Sequence, residues 1–228
     1  MMKHFKSGLF LLLSLLSIST YSIAQSRKDS LIVFVGQKLK VEYYPEEKSQ
    51  WVVDSITIRG KDTITAKHVP MSMDQRYKAK YKVLQLVHGS YKADTIEFTV
   101  YDHYGKPAFS QFEHVLLFVS YYNGKLYHEK YQYFDVYKAK NGKWASPYAV
   151  ADYNHPYRDS ITVKPEKIPF EEELRFSVKR QGFNYMQRDY PHPFYTLKDG
   201  YANPVYGNYV NDLFQLKLET ILKARGIK

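Results

Sequence analysis

The chain has 228 residues and a net charge of +10, with no cysteine, 23 tyrosines and 13 phenylalanines. Its length suits one domain with an extension and a core of its own. The missing cysteines exclude disulfides, thiolate zinc sites, cysteine catalysis and a lipid-modified N-terminal cysteine.

The first 24 residues read as an export signal. Lys3 and Lys6 form a basic head, Leu9 to Ile18 an apolar centre, and Ser22 to Ala24 a small-residue cleavage site before Gln25. The apolar run is too short for a comfortable membrane span, and nothing later approaches span length. The expectation is an exported chain, periplasmic or extracellular, with no transmembrane segment after cleavage. Residues 25–228 are expected to form one β-rich domain: a β core over 31–148, an irregular extension packed on it over 149–210, and a C-terminal helix over 212–225.

In chain order, Leu31 to Val35 reads as a buried strand, Gly36 as a bulge or turn, and Lys38 to Tyr44 as its continuation. Gln50 to Ile58 and Asp62 to Val69 are expected to pair through Arg59, Gly60 and Lys61, as an insertion at a barrel rim. Arg76 to Val87 follows as a basic strand. Tyr77, Ala79, Tyr81 and Val83 alternate with Arg76, Lys78, Lys80 and Lys82, so four cations share one face, about 6.6 Å apart at ~3.3 Å per residue. Leu84 and Leu86 change the parity, and a bulge there is expected to restore the core face. Ile96, Phe98 and Val100 place one face of the next strand inward.

Val115 to Val119 is continuously apolar, as in a strand covered on both sides. Asn123-Gly124 and Asn141-Gly142 are tight-turn signals. They predict three strands joined by two turns between Val115 and Pro147. Ser160 to Val163 and Leu174 to Val178 are further strand candidates. The stretch from Gln181 to Tyr209 is rich in Pro, Gly, Asn and Tyr, and its aromatics argue for an ordered coat. In the final helix, Asp212 and Gln215 suggest a capping box, Leu213 to Leu222 an apolar face, and Gly226 a C-terminal stop.

A strand ending in Phe34-Val-Gly36, then Tyr81 to Val87, Gly89 and Asp94 to Phe98, resembles the opening of netrin-like domains, the OB-type barrels shared with tissue inhibitors of metalloproteinases. The resemblance covers roughly Leu31 to Lys130. It implies a five-stranded OB barrel with a helix against it. Those inhibitors chelate zinc through an N-terminal cysteine, which this chain lacks, so that activity does not carry over. The chain also resembles exported bacterial proteins. The fold class expected is therefore mostly β, an OB-like barrel or compact β-sandwich closed by a C-terminal α-helix.

Catalytic and metal chemistry finds little support. His128-Glu129 begins like a zinc-protease helix, but Gln132 stands at the second histidine position and the segment reads as β. Asp102, His103 and His114 lack metal-site spacing. Glu171 to Glu173 reads as a solvated charge run. No nucleophile elbow or phosphate loop is present. No catalytic residue, metal ligand or cofactor is assigned. The one candidate ligand-binding set is Arg76, Lys78, Lys80 and Lys82, although solvation and protection of a strand edge are the commoner uses of strand lysines. The functional expectation is a non-catalytic binding module for an anionic or carbohydrate ligand. An anionic glycan or an envelope protein is the partner expected, and nucleic acid is not. The alternatives are an envelope enzyme or enzyme inhibitor, and an accessory subunit of an envelope complex.

Overall fold

The computed structural model describes residues 31–45, 52–59, 62–68, 73–180 and 182–227. The export signal and the polar lead before Leu31 lie outside the described residues. Residues 46–51, 60–61 and 69–72 also lie outside the described residues, and with them part of the expected link between the two paired segments at Gly60 and Lys61.

Seven strands make the N-terminal half: β1 (Leu31–Tyr43), β2 (Val52–Arg59), β3 (Asp62–His68), β4 (Gln75–His88), β5 (Thr95–Asp102), β6 (His114–Tyr122) and β7 (Lys125–Asp135). Five of them close a barrel in the order β1-β4-β5-β7-β6, while among the described residues β2 and β3 pair with each other as an antiparallel couple, as expected. The β5–β7 pair is parallel; the other barrel pairs are antiparallel. The β1 strand pairs with β6 through its first seven residues and with β4 as far as Tyr43. Gly36 sits where both partners meet. A Cβ there would lie 2.8 Å from the Phe34 ring and 3.1 Å from the Tyr81 ring.

Two cores share these strands. Phe34, Tyr81, Ile96, Phe98, Val115 and Leu117 fill the barrel interior. Phe109, on a single 3-10 turn (Ala108–Gln111) between β5 and β6, joins this core with its ring 6.0 Å from Tyr81 and 4.7 Å from His128. Leu31, Val33, Val35, Leu116 and Phe118 point outward into a second core. The runs Leu31–Val35 and Val115–Val119 are apolar at every position because alternate residues serve different cores.

The basic strand has its expected parity: Tyr77, Ala79 and Tyr81 are buried while the four cations face outward. The β1–β4 register does skip Leu84, and skips again at Val87. The bulges do not return Leu84 and Leu86 to the core, however; both stay more than a third exposed. Val87 packs on the second core instead.

Asn123 and Gly124 adopt positive φ of 47° and 78°, as a type I′ turn requires, and join β6 to β7. The third strand of the expected meander leaves the barrel. Val136 buries its side chain in the second core, and β8 (Tyr137–Lys138) pairs with β9 (Trp144–Pro147) in another sheet. After β9 come α1 (Val150–Tyr153), β10 (Glu166–Lys167), β11 (Phe176–Ser177), α2 (Phe183–Asp189), β12 (Tyr195–Lys198), β13 (Tyr201–Pro204) and β14 (Tyr206–Tyr209). They complete two small sheets, β10-β14-β9-β8 and β11-β13-β12. Ser160 to Val163 is not a strand. The Thr162 amide and hydroxyl donate to the Glu219 carboxylate at 2.7 and 2.5 Å, which takes that backbone donor out of any ladder.

The C-terminal helix begins two residues before its expected cap. It comprises α3 (Val210–Glu219) and α4 (Ile221–Ala224), and Tyr209 precedes it without a side-chain cap. Asp212 lies in the first turn, and Gln215 donates forward to Glu219 at 2.9 Å rather than back to the helix start. The stop is as expected. Gly226 has φ of 69°, its amide bonds to Lys223 and that of Ile227 to Leu222, and Leu222 and Ile227 are both buried in the second core. This is a Schellman motif with its apolar contact.

Candidate ligand-binding face

Alternation along β4 and β5 sends Arg76 and Lys78, Glu97, Thr99 and Tyr101 to the outside of the barrel. A cleft of about 780 Å³ runs across this surface. One wall is Tyr44, where β1 ends. The opposite wall is the β6–β7 hairpin, with Tyr121, Gly124, Lys125 and Tyr127. The single parallel contact, Thr99 beside Tyr127, brings that hairpin against β5. Tyr101 and Tyr127 stack there, 6.3 Å apart and 16° from parallel.

The cations of the face have different duties. Arg76 donates from Nε to the Tyr44 carbonyl at 3.0 Å and from Nη2 to the Pro45 carbonyl at 2.7 Å. Its guanidinium also lies 4.5 Å from the Tyr44 ring centroid. Arg76 therefore holds the Tyr44 wall in place, with a planar fork committed to neighbouring carbonyls. Lys78 stands 4.9 Å from the same ring and 3.2 Å from Glu97. That exposed ion pair is weak and salt-sensitive. Lys125 is exposed at the turn. Lys80 and Lys82 share the outer face of β4 but are not among the residues lining the cleft. The structure thus brings Arg76 and Lys78 to one site and leaves Lys80 and Lys82 beside it. Tyr44, Tyr121, Lys125 and Tyr127 were not singled out by sequence. Their one local signal was the pairing of tyrosines with an Asn-Gly turn.

Among the described residues the histidines do not converge. His103 faces the Met73 carbonyl at 3.1 Å, and His114 packs its ring 4.9 Å from Trp144. His128 is buried inside the barrel, with Nε2 2.9 Å from the Gln132 carbonyl, and burial lowers its pKa to about 4. It is a neutral core residue. Among the described residues no group of three or more His, Asp and Glu is placed to hold a metal ion, and no helix is long and apolar enough to cross a membrane.

The barrel strands follow the order first, second, third, fifth, fourth, with one parallel pair between third and fifth, an OB-like arrangement. Such barrels bind oligosaccharides and oligonucleotides across strands two and three, between the one–two and four–five loops. Here those strands are β4 and β5, the one–two connection starts at Tyr44 and the four–five loop is Asn123-Gly124, so the cleft lies on that face. Comparison with family models, curated proteins and solved structures found no match.

Proposed function

We propose that this chain is an exported, non-catalytic binding module that holds an acidic saccharide chain across β4 and β5. The observation that carries the reading is the coincidence of the 780 Å³ cleft with the OB ligand face, where it is lined by tyrosines as well as by Lys78 and Lys125. Tyrosine rings offer flat apolar surface with a polar rim, which suits a sugar ring. The lysines supply charge for carboxylate or sulfate groups and steer an anion to the face.

A thermal-shift titration of the mature protein with acidic and neutral glycans, at low and high salt, tests this. A ligand bound only by the native state raises the melting temperature. The expected result is a shift with the acidic glycan that shrinks in high salt. No shift with any acidic or neutral glycan at low salt would overturn the reading and direct attention to a protein partner.

A further inference from the structure

A second, smaller cavity lies away from the barrel face. It measures about 230 Å³ and sits where the end of β7 meets the small C-terminal sheets. Its walls include Phe134 and Asp135 of β7, Tyr148, Phe176, Tyr190 and Tyr195. It suits a small molecule, not an oligomer.

The walls are aromatic rings and acids. Tyr195 stands nearly perpendicular to both its neighbours, 5.2 Å from Tyr190 at 82° and 6.4 Å from Phe176 at 74°. The Tyr195 hydroxyl donates to the Tyr148 carbonyl at 2.9 Å, which fixes that ring. Two carboxylates line the cavity, and they differ. Asp152 is already matched by Lys217 at 2.5 Å. Among the described residues no cation pairs with Asp135. Burial pushes its carboxyl above the ordinary range, against the opposing effect of a hydrogen bond from Tyr137.

We propose that this cavity binds a small organic cation, with its alkylammonium head set against Tyr190, Tyr195 and Phe176 and paired with the Asp135 carboxylate. Ring faces attract cations through the aromatic quadrupole, most strongly where water is excluded. A partly buried carboxylate without a counter-charge is costly, and a bound cation removes that cost. An anion would meet Asp135, and a neutral apolar molecule would leave its charge uncompensated. The site is separate from the barrel cleft and does not depend on the function proposed there.

The test titrates choline, tetramethylammonium and dimethylbutanol, the neutral carbon isostere of choline, into the full chain, followed by backbone amide NMR. Both cations are expected to bind saturably, with shifts centred on Asp135, Phe176, Tyr190 and Tyr195. The isostere should bind at least about tenfold more weakly, given the strength of desolvated cation–π contacts. Asp135→Asn should lose about tenfold or more in choline affinity, while Lys78→Ala with Lys125→Ala should keep it. Absence of saturable binding by either cation would overturn the proposal, as would an isostere that binds equally well. If Asp135→Asn fails to fold, the isostere comparison on the unaltered protein decides.

Discussion

Lys217 of α3 and Asp152 of α1 form a salt bridge of 2.5 Å whose side chains are only 7% and 13% exposed. The ammonium also lies 4.5 Å from the Phe134 ring centroid, so the pair ties together the end of β7, the C-terminal helix and α1. Burial lowers the Lys217 pKa, and the charge of Asp152 opposes that shift.

Removing one member strands the other. Asp152→Ala is expected to destabilise the protein by about 3–5 kcal/mol, the usual cost of an orphaned buried charge. The double change Lys217→Met with Asp152→Leu should recover most of that loss, because apolar replacements of buried pairs are often neutral. Denaturant unfolding of the three proteins measures both. Equal losses in the single and double variants would show that the pair itself holds the seam.

His128 makes stability depend on pH. Its folded pKa is about 4 against an ordinary 6.5, so between these values the unfolded chain binds more protons. Stability must then fall as pH drops from about 6.5 to about 4, by roughly 3 kcal/mol, and this contribution is level outside that window. His128→Leu should flatten that part of the profile while lowering stability at pH 8 by about 1–3 kcal/mol through the unpaired Gln132 carbonyl. An unchanged acid slope in the variant would contradict the assignment.

Gly36 marks the crossing of β4, β1 and β6. A Cβ at 2.8 Å from the Phe34 ring must displace a core aromatic, so Gly36→Ala is expected to cost about 1–3 kcal/mol. Gly142 offers the contrast, with nothing within 4 Å of its added Cβ. Its φ of 77° still disfavours alanine, by about 1–2 kcal/mol. Pairing Gly36→Ala with Phe34→Leu should recover stability if crowding is the cause, and Gly142→Ala should gain nothing from the same partner change.

Much of the barrel was legible because its signals are local. The alternation of tyrosine or alanine with cations along β4, and the unbroken apolar run of β6, each report burial residue by residue. The Asn123-Gly124 turn encodes its own geometry. The cleft was half legible. Arg76 and Lys78 show in the pattern of one strand, but Tyr44 and Tyr127 reach them only through the closure of the barrel and the parallel β5–β7 contact. The small sheets were hard to read because strands of two to four residues carry no period; tertiary pairing defines them. The helix start was displaced because β14 runs directly into α3 at Tyr209, leaving no room for a side-chain cap. The closed five-stranded barrel and the C-terminal helix are those expected from the sequence, but a fold of this kind does not carry a function with it.

If Lys78 and Lys125 hold the ligand as proposed while Lys80 and Lys82 only solvate the same strand, the two lysine pairs must contribute unequally to binding. The most direct measurement is the affinity of an acidic glycan for two double variants matched in charge. Lys78→Ala with Lys125→Ala should weaken binding about tenfold or more, taking ~1 kcal/mol for each lysine that meets an anion. Lys80→Ala with Lys82→Ala should change it by less than about twofold. Equal losses in the two variants would mean that the glycan reads overall charge and not the cleft, and would overturn the proposed role of Lys78 and Lys125.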